Sequence, residues 1–128
     1  MKPLKFILFF VLQFFFCLVS YCQKERIDSL KRVLPTLIDT ARIDCLNNIA
    51  AYYLMSMQKD SSDYFIKLVA EESGKINYKH GMACSYMLRA GFVNHFHNDF
   101  TSMKELALEA LKWHNLTPNK KEDRKSVV

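Results

Sequence analysis

His95-Phe96-His97-Asn98-Asp99 is the one stretch whose residue types have metal-ligand character. On a helix, side chains two positions apart point about 200° away from each other, so His95 and His97 could share an ion only beyond a helix end. Zinc also takes three or four ligands, and no cysteine or second histidine pair stands at a suitable spacing. Both imidazoles are therefore read as solvated groups at a helix C-terminus, where positive charge meets the negative end of the dipole. Neither Cys45 nor Cys84 has a histidine or acid in a motif-defined relation to it, which argues against a nucleophilic thiol. The chain has no glycine-rich phosphate loop, no strand-borne serine elbow and no paired carboxylates in an apolar setting. No catalysis, no metal and no cofactor is expected.

The elements that must position any site begin after a distinctive leader. Met1-Lys2-Pro3-Leu4-Lys5 is basic, Phe6 to Val19 is apolar except for Gln13, and Ser20 to Glu25 turns polar. That order predicts a secretory signal peptide over 1–22, cut between Cys22 and Gln23 where Ser20 and Cys22 supply small residues. The alternative is an uncleaved anchor, which needs roughly 20 apolar residues where this run offers about 15. Bulky Phe16 and Tyr21 before the two cysteines disfavour lipidation. Cleavage leaves one domain, lowers the formal net charge from +5 to +3 and reduces four cysteines to two. Two cysteines cannot frame a disulfide scaffold, and the interleaved charges do not call for nucleic acid. The partner classes that remain are proteins and peptides, with a membrane reached only through an uncleaved leader.

Sparse proline and glycine, and the lack of alternating β-branched runs, predict an all-helical chain. A short helix covers Glu25 to Leu34 and stops before Pro35. A second starts at the capping pair Asp39-Thr40 and buries Ile43, Leu46, Ala50, Tyr53 and Met57 at steps of three and four. The Lys59-Asp60-Ser61-Ser62 turn caps a third helix facing inward through Phe65, Val69 and Ile76. A break near His80-Gly81 precedes a fourth, Met82 to His95, and Asn98-Asp99 turns into a fifth with Met103, Leu106, Ala107, Ala110 and Leu111 on one face.

Shifting the sequence by 41 residues lays Ile49-Ala50 over Ala90-Gly91, Ser62 over Met103, Ile66 over Ala107 and Val69-Ala70 over Ala110-Leu111. A helix pair repeats. In Ala90-Gly91, Asn98-Asp99-Phe100 and Ala107 to Leu111, and in Leu46, Ile49-Ala50, Tyr53 and Asp60-Ser61-Ser62, the chain resembles the tetratricopeptide repeats. Lys75-Ile76-Asn77-Tyr78, followed by Gly81 and Ala83, resembles the long-period form found in exported bacterial sensor proteins. The resemblance implies antiparallel helix-turn-helix repeats in a short α-solenoid: an N-terminal helix and linker over 23–38 and units over 39–79 and 80–116. The tail over 117–128 is charged and lacks an apolar stripe, so it is read as disordered. Leu46, Ala50, Tyr53, Gly91, Phe100, Ala107 and Ala110 would pack the units together. Cys45 and Cys84 would both lie on first helices, whose axes are commonly about 8–10 Å apart, which favours free core thiols over a bridge.

The function this implies is a non-catalytic protein-binding module in the periplasm or outside the cell. First helices of such units form a concave face, which places a groove at Asn47, Ala51, Leu54, Met55, Leu88, Phe92 and Phe96. The alternative is a truncated sensory input region of a histidine kinase or transcriptional regulator. Leu108, Leu111 and Trp113 on the last helix further predict an apolar end that leaves the chain either marginally stable or dimeric through it.

Overall fold

The computed structural model describes residues 2–117; most of the tail expected to be disordered lies outside them. Five α-helices follow one another: α1 (Lys2–Val33), α2 (Asp39–Met55), α3 (Lys59–Lys75), α4 (Lys79–His97) and α5 (Phe100–Asn115), with a 3-10 turn at Leu34–Thr36. No strand occurs among the described residues. α2 packs on α3 and α5 on α4, while α4 lies against both α2 and α3. Helices α3 and α5 do not touch.

The first correction concerns α1. The helix does not begin at Glu25 but runs unbroken from Lys2, because Pro3 falls in its first turn, where proline is tolerated, the leucines, phenylalanines and their polar successors are all compatible with helix, and no further proline comes until Pro35. Its apolar half is exposed throughout and is long and apolar enough to cross a membrane. The first α1 side chain hydrogen-bonded to the body is Gln23, whose Oε1 accepts a 2.9 Å hydrogen bond from the Ser56 hydroxyl. From there Ile27 is buried with Cys45, Ile49 and Tyr53, and Leu30, Leu34 and Leu37 lean on the same cluster. The Cys45 thiol points at the Leu30 carbonyl, 3.5 Å away.

The turns also differ from expectation. Neither the Asp39-Thr40 pair nor Ser62 caps a helix: the N-cap residues are Ile38 and Gln58, both extended and without a side-chain bond. The Ser62 hydroxyl instead donates to the Lys59 carbonyl from a fully buried position. What ends α2 is a backbone device. Gln58 N–H bonds the Tyr53 carbonyl and Met57 N–H the Leu54 carbonyl, with Met57 left-handed at φ 58°. α3 ends the same way, through Tyr78 to Ser73 and Asn77 to Gly74, with Asn77 at φ 52°. The break therefore falls at Asn77-Tyr78, not at His80-Gly81, and Met57 and Ile76 are exposed turn residues instead of members of the buried stripes. Asn98 repeats the left-handed step at φ 51°, and here the Asp99 carboxylate does cap α5 by accepting from the Ser102 backbone N–H.

Gly81 sits inside the first turn of α4 for a packing reason. A β-carbon there would collide with the Ser73 hydroxyl and reach 3.0 Å from Ile43 Cγ2, so the glycine lets α4 cross α3 and α2 closely. Gly91 does the same less tightly, beside Leu54. Two ion pairs brace the crossings. Arg42 grips Glu72 with two nitrogens, binding α2 to α3, and Arg89 meets Asp63 at 2.7 Å, binding α4 to α3. Lys67 and then Arg89 hold the Asp63 carboxyl below its usual range.

Met57 carries the strain that asparagine relieves at Asn77 and Asn98, since a residue with a γ-branched or longer apolar chain tolerates left-handed backbone poorly. Met57→Asn should stabilise the fold by roughly 0.5–1 kcal/mol, measured as a raised urea midpoint with an unchanged slope.

Candidate functional site

The anticipated groove does not exist as an open surface. Leu54 and Phe92 are 8% and 6% exposed and close a core cluster with Ala50 and Ile66, on which Leu88 and Phe96 also pack. The physical reason is that α4 crosses α2 closely enough at Gly91 for the facing side chains to interdigitate. Met55 is exposed at the end of α2, and Ala51 is half-buried. Of the expected packing residues, Leu46, Ala50, Tyr53 and Ala110 are buried, and Gly91 and Ala107 are half-buried. Phe100 is corrected outright: it opens α5 beyond the Asp99 cap and is 68% exposed.

The concavity that is present lies one step further along. A groove of about 640 Å³ runs between α4 and α5, floored by Ala83, Ala107 and Ala110 and walled by Met87, Leu108 and Leu111. Of the groove residues read from the sequence, only Asn47 and Leu88 line it. The Asn47 side-chain oxygen is buried with no hydrogen-bond partner among the described residues. Leu108 and Leu111 are 51% and 53% exposed, large apolar side chains facing water. A larger hollow of about 850 Å³ follows the other flank of α5, but Arg89, Glu105, Glu109 and Lys112 border it as on an ordinary solvated surface.

The α4–α5 groove has an occupied counterpart. α4 is seated on α2 and α3 through Ile43 and Ser73 against Gly81, Ile66 against Phe92, and Asp63 against Arg89. Moving each of those four seat residues 41 positions along gives Cys84, His114, Ala107 and Lys104. All four line the open groove. In sequence register it corresponds to the surface on which α4 rests, and no described residue fills it.

The Cys84 thiol stands 3.6 Å from His80 Nε2, yet burial, with the Asp44 carboxylate adding to it, pushes the thiol up and away from the reactive thiolate. Cys84 faces this groove while Cys45 faces α1, and both are free thiols. His95 and His97 both lie within α4, which continues to His97, and His97 rests 5.9 Å from the Phe92 ring. Among the described residues no three His, Cys, Asp or Glu side chains converge to hold a metal. At the entrance to α4 the Tyr78 hydroxyl donates to Asp44 at 3.0 Å, joining the two helix pairs. No family model, curated protein or solved structure matches the chain.

Two outcomes follow. Leu54→Asp places a charge in the core and should destabilise by roughly 3 kcal/mol or more, whereas Leu111→Asp should stay within about 0.5 kcal/mol of the parent in chemical unfolding. Burial, then the Asp44 contact, pushes Tyr78 up to about 12. A folded value above the unfolded one means that the proton is held more tightly in the folded state, so this contribution is intact below the unfolded value and lost as pH rises to about 12. Absorbance titration of the phenolates should show one late step that Tyr78→Phe removes.

Proposed function

We propose that this chain is an exported, non-catalytic protein-binding module built on tetratricopeptide-type helix pairs, and that it holds its partner in the α4–α5 groove. The observation that carries the reading is the uncovered repeat of the α4 seat: an apolar helix-shaped trough whose counterpart in the same molecule is filled by a helix. Stacking of helix pairs buries such a trough by adding the next helix, and here a helix from another protein supplies it. The nearly equal spans of α2 with α4 and α3 with α5, and the recurrence of the same left-handed turn, support the repeat assignment.

Export is supported by where packing starts. Residues 2–22 are exposed, and the first side chain hydrogen-bonded to the body is Gln23, so removal of 1–22 leaves the Gln23–Ser56 bond and the Ile27 cluster untouched. A second reading, an anchored sensory input region, is favoured by the absence of a linker: α1 passes directly from its apolar half into the segment docked on α2, so a retained leader would transmit force to the fold.

Mass spectrometry of the chain recovered from an expressing cell separates these. A Gln23 N-terminus supports the exported module, and an intact Met1 in the membrane fraction supports the anchored form. Binding itself is tested by in-cell photocrosslinking from position 108. A discrete adduct with one protein, lost on Leu111→Glu without loss of fold, is the expected result, and the same adducts with and without that substitution would refute the groove.

A further inference from the structure

We propose that the α4–α5 groove receives an amphipathic helix from a partner protein that presents a carboxylate to Lys104. This rests on the protein-binding reading and adds the chemistry of the bound segment. The chain itself contains the template. α4 shows what a helix must bring to this kind of seat: a small residue where it crosses Ser73 and Ile43, a large apolar side chain over Ile66, and at Arg89 a charge opposite to that of Asp63.

The open seat keeps the shape of the first and reverses its charge. Asp63 becomes Lys104 at the equivalent place, so a helix entering in the manner of α4 meets a cation where α4 meets an anion. Among the described residues Lys104 makes no ion pair, although Asp63 makes two. His80 and His114 are the other titratable nitrogen groups along the groove, and no carboxylate lines it. The floor also differs in depth, with Ala107 in place of Ile66 and Ala110 in place of Val69. The incoming helix therefore needs bulkier apolar side chains on its buried face than α4 uses, together with an acidic flank.

The same features argue against a second copy of this chain packed face to face. Two such grooves in contact would juxtapose their Lys104, His80 and His114 side chains without a groove carboxylate to meet them. Like charges brought together in a desolvated contact oppose association and select against that partner.

The probe is a synthetic peptide of the α4 segment, Lys79–His97, made with the natural Arg89 and with Arg89→Glu, titrated by fluorescence anisotropy against the full chain in mild detergent. The Arg89→Glu peptide should bind roughly fivefold tighter or more, and Lys104→Glu in the full chain should reverse that preference. Carbodiimide coupling should join Lys104 to the new glutamate of the peptide. Equal binding of both peptides, abolished by Leu111→Glu, would leave the groove as a helix site and overturn the acidic requirement. Binding of neither peptide would overturn the groove as a helix site and this proposal with it. Coupling of Lys104 to a carboxylate of its own chain, or concentration-dependent self-association lost on Leu111→Glu, would name a different occupant and overturn the proposal as well.

Discussion

The seating of α4 on α2 and α3 is the contact on which the rest of this molecule depends. Each helix pair, α2 with α3 and α4 with α5, exposes an apolar side that it cannot cover alone, and of the second pair only α4 reaches the first. The join is made by shape before charge. Gly81 admits the close crossing over Ser73 and Ile43, Phe92 fills the space between Ile66, Ala50 and Leu54, and Arg89 then meets Asp63 at the margin. Such a partly exposed ion pair contributes on the order of 1 kcal/mol or less, so it sets register and polarity while the apolar cluster supplies most of the stability.

Regular turns make that join repeatable. After α2, α3 and α4 the chain takes one residue in the left-handed region and one in an extended conformation before the next helix begins, at Met57-Gln58, Asn77-Tyr78 and Asn98-Asp99. The same backbone reversal therefore joins α2 to α3, α3 to α4 and α4 to α5. The two ends of the body are nevertheless unlike. On the α2 side, Ile27, Leu30 and Leu34 close the core, with Lys31 resting 5.0 Å over the Tyr53 ring. On the α5 side, Leu108 and Leu111 remain exposed.

The pattern of one side covered and the other open also explains the thiols. Cys45 is enclosed beneath α1 and behaves as a small apolar side chain. Cys84, which the 41-residue shift pairs with Ile43, borders the groove instead. Positions 43 and 84, one 41-residue step apart, thus meet two environments: Ile43 is buried beneath α4, and Cys84 borders a groove that no described residue fills.

The all-helical class and the helix count after the leader were legible in the sequence, because amphipathic periodicity is a local property and Leu46, Ala50, Val69 and Ala110 recur at helical steps. The 41-residue shift was legible too, since self-similarity is a property of the sequence alone. Turn chemistry was only partly readable: Asn98-Asp99 announces itself by residue type, whereas Met57 adopts its left-handed backbone only because the Tyr53 and Leu54 carbonyls and the packing of α3 on α2 demand it. The site was the least legible element. Leu54, Phe92 and Phe96 carry the composition of a binding face, and no local rule distinguishes an apolar side chain that faces a ligand from one that faces a neighbouring helix. That distinction belongs to the tertiary structure, since the approach of α4 to α2 at Gly91 closes one face, and the reach of α5 along α4 leaves the other open.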